Sequence, residues 1–215
     1  MIVAEPLPQS LLVDARPWSE YAQGHLQGAI SLDLAGLCPR LRSEADVLAL
    51  EACLAEAQAR IGVHPEQPVT VYGPPTPSVA KTAFLLTLSG LRVALWFQGW
   101  QPWAEERAVP SIPTVEPRVR LCWELLLTAE EARVHPYLLD VREPSEFHAG
   151  HIPGARNLPL GSLAFLEPTE AEIGVYCRSG ARSSLAFWLL RSRGFRVCNY
   201  LGSMLEWERE FPIER

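Results

Sequence analysis

The stretch "VYCRSGARSSLAFWLLRSRG", residues 175–194, decides the fold. Val175 and Tyr176 close a short apolar run, residues 172–177, that reads as a buried strand. Residues 182–194 carry apolar side chains at helical spacing, and Gly194 supplies a helix stop. Between them lies a turn of Cys, Arg, Ser, Gly and Ala. A strand that gives way to a helix and then to another apolar run, residues 195–201, is a β–α–β unit. Such units build mainly parallel sheets with helices on both faces, an α/β fold. Ligands of these sheets bind beyond the carboxyl ends of the strands. Cys177 stands at that end.

Working outward, the chain contains the same pattern twice. "DARPWSEYAQGHLQGAI" (14–30) and "DVREPSEFHAGHIPGAR" (140–156) share Asp, Arg, Ser, Glu, Gly, His, Gly and Ala without a gap. "VYGPPTPSVAKTAFLLTLSGLRV" (71–93) aligns with 175–197 through Val, Tyr, two Leu, Gly, Arg and Val. The first block is offset by 140 − 14 = 126 residues and the second by 175 − 71 = 104, in the same order. This is a duplicated domain. The extra 22 residues of the first copy lie between Ile30 and Val71 (126 − 104). There Ser43 reads as an N-cap, and Val47, Leu50, Leu54, Ala57 and Ile61 predict a helix over about 44–60. Residues 137–141 predict a further strand, and Thr128 to Glu131 has capping-box spacing. The expected division is a first domain at 1–107, a Pro-rich extended linker at 108–118 and a second domain at 119–215.

Composition excludes several classes. The 215 residues are 48% hydrophobic and 20% charged, with net charge −6. This suits two globular domains and argues against nucleic acid as a partner. No apolar run approaches a membrane span, and the N-terminus lacks a basic leader pattern, so the expectation is a cytoplasmic protein without a membrane partner. The five cysteines form no C-x-x-C pair, which argues against a metal site or a disulfide framework. Cys53 and Cys198 fall in apolar patterns and are expected in the core; Cys38 and Cys122 carry no signal. Trp100, Trp103, Trp188 and Trp207 read as packing residues.

Cys177 is different. Its loop precedes a helix, whose free N–H groups and positive dipole end favour an anion. Gly180 allows close backbone approach, and Arg178 and Arg182 add positive charge. Together these favour a thiolate in an anion cradle, a nucleophile toward an anionic substrate. The first copy has Gly73, two prolines and no arginine there, so a mere packing role for Cys177 is disfavoured.

"LLDVREPSEFHAGHIPGARN" followed by "VYCRSGARS" resembles the rhodanese homology domain, and "YLGSMLEW" resembles its G-G-x-x-x-W ending with Ser203 for the second Gly. The second copy carries this likeness throughout, while the first resembles an inactive member ending in "FQGWQPW". The resemblance implies a sulfurtransferase that needs no cofactor. Cys177 would take a sulfane sulfur from thiosulfate or a related small anionic donor and pass it to cyanide or a thiol. Arg178 and Arg182 would hold the donor, and the N–H groups of Ser179, Gly180, Ala181 and Arg182 would cradle the persulfide. Asp140, Arg142 and His151 are expected to support the loop, because Asp14, Arg16 and His25 persist without the cysteine. Glu146, shared with Glu20, is read as structural, and Arg156 as either a surface residue or an added charge.

Three other readings remain. Cys177 could carry a persulfide for one protein partner. The chain could be a cysteine phosphatase or arsenate reductase, although its C-x4-R loop is one residue shorter than theirs. Or it could be an interaction module with an inert cysteine.

Overall fold

Two four-stranded parallel sheets repeat one strand order in this computed structural model, which describes residues 1–97 and 110–215. The chain divides into two units. One comprises Met1–Leu37 and Leu48–Cys122, the other Cys38–Val47 and Trp123–Arg215.

The first copy contributes β1 (Leu11–Asp14), α1 (Trp18–Tyr21), β2 (Ile30–Ser31), α2 (Glu44–Ile61), β3 (Val69–Tyr72), α3 (Pro77–Leu88) and β4 (Val93–Trp96). Its sheet order is β2-β1-β3-β4. The extra segment is a helix, as its periodicity predicts, and Ser43 caps it: the Asp46 N–H donates to Ser43 Oγ at 3.2 Å. Cys53 on α2 is exposed, which corrects the expectation that it sits in the core. A lone apolar-looking position on an 18-residue helix falls on whichever face the packing selects, and here Leu50, Leu54, Ala57 and Ile61 take the buried stripe.

The second copy contributes α4 (Ala129–Val134), β5 (Leu138–Asp140), α5 (Pro144–Ala149), β6 (Arg156–Asn157), β7 (Ile173–Tyr176), α6 (Ala181–Ser192), β8 (Val197–Asn199) and α7 (Ser203–Trp207). Its order, β6-β5-β7-β8, is the first sheet's order again. Thr128 and Glu131 form the expected capping box. Gly194 follows α6 at φ +88. Leu127, Ile152, Tyr176, Tyr200, Met204 and Trp207 belong to a buried cluster on the second sheet. Trp188 and Trp207 are buried, whereas Trp100 and Trp103 lie outside the described residues, as do residues 98–103 of the first copy's "FQGWQPW" ending. Residues 110–122 form no helix or strand. No helix among the described residues is long and apolar enough to cross a membrane.

Candidate active site

The inner strand β7 is buried at all four positions and ends at Tyr176, so the sheet itself aims the chain into the loop at 177–180. Cys177 is only 1% exposed. Gly180 adopts φ +81, and a Cβ there would meet the Leu201 carbonyl oxygen at 2.7 Å; the turn needs glycine on both counts. It caps α6, and the Ser184 N–H and Oγ both donate to the Gly180 carbonyl, at 3.1 and 2.6 Å. The first-turn amides of α6, at Ala181 and Arg182, have no intrahelical acceptor by construction. The Ser183 hydroxyl, in the same turn, is buried and makes no hydrogen bond among the described residues.

The turn after β8 grips the loop from the other side. The Met204 N–H donates to the Cys177 carbonyl at 3.1 Å and the Leu205 N–H to the Arg178 carbonyl at 3.0 Å. The Cys177 N–H donates to Ser203 Oγ at 3.2 Å.

The two loop arginines behave differently. Arg178 is exposed and makes no ion pair among the described residues. Arg182 forks onto Glu146, with Nη1–Oε2 at 2.5 Å and Nη2–Oε1 at 2.8 Å. The Arg182 hydrogen bonds hold the Glu146 carboxyl at about 2, well below its ordinary range. Arg182 is therefore already paired with a carboxylate, whereas Arg178 makes no ion pair among the described residues. Glu146 was read as structural from its presence in both copies; its partner is specific to the second, since the position equivalent to Arg182 in the first copy is Ser78.

Asp140, Arg142 and His151 are held by contacts with one another's neighbours around α5, and Arg142 lies 6.0 Å over the Tyr176 ring next to Cys177. Arg142 is 3% exposed, chelates Asp140 (Nη2–Oδ2 2.6 Å) and donates to the Gly150 carbonyl at 2.8 Å. His151 Nδ1 lies 3.0 Å from the Phe147 carbonyl, and its ring stacks on Phe147 at 3.7 Å. The first copy repeats each contact: Arg16 with Asp14 at 2.6 Å and the Gly24 carbonyl at 2.8 Å, His25 with the Tyr21 carbonyl at 3.0 Å and its ring at 3.7 Å. What differs is the loop. A Cβ on Gly73 would strike Val79 Cγ2 at 2.7 Å, so a β-branched side chain fills the space that a cysteine there would need. Arg156 is exposed and lies over the Tyr137 ring at 4.9 Å.

Two features gave no usable sequence signal. Cys38 brings its Sγ to 3.8 Å from the Ser179 carbonyl, beside a cavity of about 120 Å³ lined in part by Arg40, Gly202, Glu206 and Arg209. His135, Glu172 and Cys198 cluster within 4.8 Å. The Tyr137 N–H donates to His135 Nδ1 at 3.2 Å, which places the hydrogen of the neutral ring on Nε2, facing Cys198 Sγ at 3.7 Å. Burial lowers the His135 pKa, so the neutral ring is the favoured form. His135 and Cys198 are thus joined by a hydrogen bond, with the Glu172 carboxylate close to both.

The sequence matches the Rhodanese-like domain family over residues 3–106 and 124–210. A crystal structure described as "Probable Thiosulfate Sulfurtransferase" superposes with a TM-score of 0.89 at 43% identity, covering 98% of this chain and 100% of that one. The sulfur carrier protein TtuD of Thermus thermophilus is 28% identical over 87% of this chain and 83% of its own length. The adenylyltransferase and sulfurtransferase uba4 of Ogataea parapolymorpha is 36% identical over 96 residues, 40% of this chain; the match spans 24% of that relative. With its family match in both copies and one sheet topology repeated, this chain belongs to the rhodanese family as a tandem of two rhodanese-like domains.

Proposed function

We propose that the chain is a sulfurtransferase whose second domain (119–215) works through Cys177 and whose first (1–107), joined by the 108–118 segment, is a scaffold. One observation carries this reading: the two copies repeat the Asp–Arg pair, the arginine bond to a glycine carbonyl and the histidine contact with a carbonyl, and differ where the nucleophile would be. A residue set kept in both copies serves the scaffold. The cysteine, the glycine turn and the arginines occur in one.

In the first step the Cys177 thiolate attacks the outer sulfur of thiosulfate. The sulfur–sulfur bond breaks and sulfite leaves with the electron pair, so Cys177 becomes a persulfide. In the second, cyanide or a thiolate attacks the outer sulfur of that persulfide, and the Cys177 thiolate returns as leaving group. The amides of Ser179, Gly180, Ala181 and Arg182, with the unmatched Ser183 hydroxyl, supply donors for the anion. Arg178 supplies the uncompensated charge; Arg182 contributes what Glu146 leaves. No step calls for a metal or an organic cofactor.

The likeness to TtuD over most of both chains supports a second reading, in which the persulfide is handed to one protein acceptor. The experiment is intact mass after incubation with thiosulfate, mercaptopyruvate or a cysteine-desulfurase persulfide, with sulfite release followed in parallel. A gain of about 32 Da on Cys177, lost in Cys177→Ser, is expected. Absence of the adduct with all donors overturns both readings. Strong preference for a protein thiol over cyanide selects the carrier.

A further inference from the structure

Ser203 holds φ +52, the left-handed region that residues with a Cβ avoid, and it is completely buried. The neighbouring glycine does not relieve it: Gly202 is right-handed at φ −60, packed against the Glu206 side chain. A serine kept in a conformation that costs free energy must return something. Its hydroxyl donates to the Tyr200 carbonyl at 2.8 Å, which commits the hydrogen and turns a lone pair toward the Cys177 N–H at 3.2 Å. The next residue, Met204, holds the Cys177 carbonyl. Both peptide groups of Cys177 are thus anchored by residues 203 and 204, outside the loop that carries the sulfur.

Resting on the reading of Cys177 as nucleophile, we infer that Ser203 is a positioning residue that fixes the Cys177 amide and so aims its sulfur. The amide so held is removed from the donors available to the anion, leaving the first turn of α6 to supply them. The hydroxyl holds the Cys177 amide; the left-handed backbone adds a strain that is separate from it. These two roles separate by substitution. Ser203→Gly removes the hydroxyl and relieves φ. Ser203→Ala removes the hydroxyl and keeps φ strained.

The test measures kcat and KM for thiosulfate, the thermal midpoint, and hydrogen exchange of the Cys177 amide in the full chain. Both variants are expected to lose about three- to tenfold in kcat with KM within about twofold, the scale of one lost hydrogen bond. The Cys177 amide is expected to exchange at least tenfold faster in both, while Ser203→Gly melts above Ser203→Ala, which keeps the strained backbone. Wild-type kcat or wild-type amide protection in Ser203→Gly, either one, overturns the inference. If Ser203→Ala does not fold, Ser203→Gly alone decides it. The amide readout does not need sulfur transfer, so failure of the proposed activity and failure of the Ser203 role are distinguishable.

Discussion

Arg182 and Glu146 meet as a two-pronged pair, at 2.5 and 2.8 Å, between the first turn of α6 and the first turn of α5. The same carboxylate accepts the Glu143 N–H at 3.3 Å. It therefore closes α5 and restrains the loop arginine at once.

Removing that restraint should strengthen donor capture. In Glu146→Gln the guanidinium of Arg182 is no longer neutralised, and KM for thiosulfate is expected to fall roughly threefold at low salt, with the gain fading as ionic strength rises. Steady-state kinetics at two salt concentrations checks this; an unchanged KM would show that Arg182 does not sense the donor.

The pair also predicts an acid-sensitive stability. Glu146 sits at about 2 in the fold against an ordinary 4.5, so its contribution is complete above 4.5 and is lost as pH falls toward 2. Both side chains are about 30% exposed, at 27% and 31%, so the amount is on the order of 1–2 kcal/mol. Urea midpoints at pH 6 and pH 3 should fall further for wild type than for Glu146→Gln.

The frame pairs should be interchangeable in energy and silent in chemistry. Asp140→Asn leaves the buried Arg142 uncompensated, and Asp14→Asn does the same to Arg16; each is expected to cost about 3 kcal/mol. Activity per folded molecule should persist in both. A large loss of kcat confined to Asp140→Asn would move Asp140 into the chemistry.

Gly180→Ala should disable the loop without unfolding the domain. The added methyl must displace the Leu201 backbone oxygen from 2.7 Å at a positive φ. A cost of about 2–3 kcal/mol and a fall in kcat of at least about tenfold are expected.

Cysteine labelling should sort by environment. Burial pushes the Cys198 thiol up to about 12, and it is 2% exposed, so it should resist alkylation at pH 8 in the native state. The exposed Cys38 and Cys53 should react fully. Peptide mapping after short labelling reads both; rapid modification of Cys198 would contradict its burial.

The sequence by itself determined the duplication, the strand and helix order, the glycine turn and the candidate nucleophile. These are local: a period of two or 3.6, a left-handed glycine and a recurring block are all written along the chain. Only the tertiary structure decided which side chains meet. Glu146 and Arg182 are 36 residues apart, Ser203 and Cys177 are 26 apart, and Cys38 lies 141 residues from Ser179. It also decided that Cys53 faces outward and that Val79 closes the space above Gly73. The physical reason is that charge pairing and packing depend on through-space distances of a few ångströms. Parallel strands linked by crossovers set those distances by bringing the ends of remote segments to one edge.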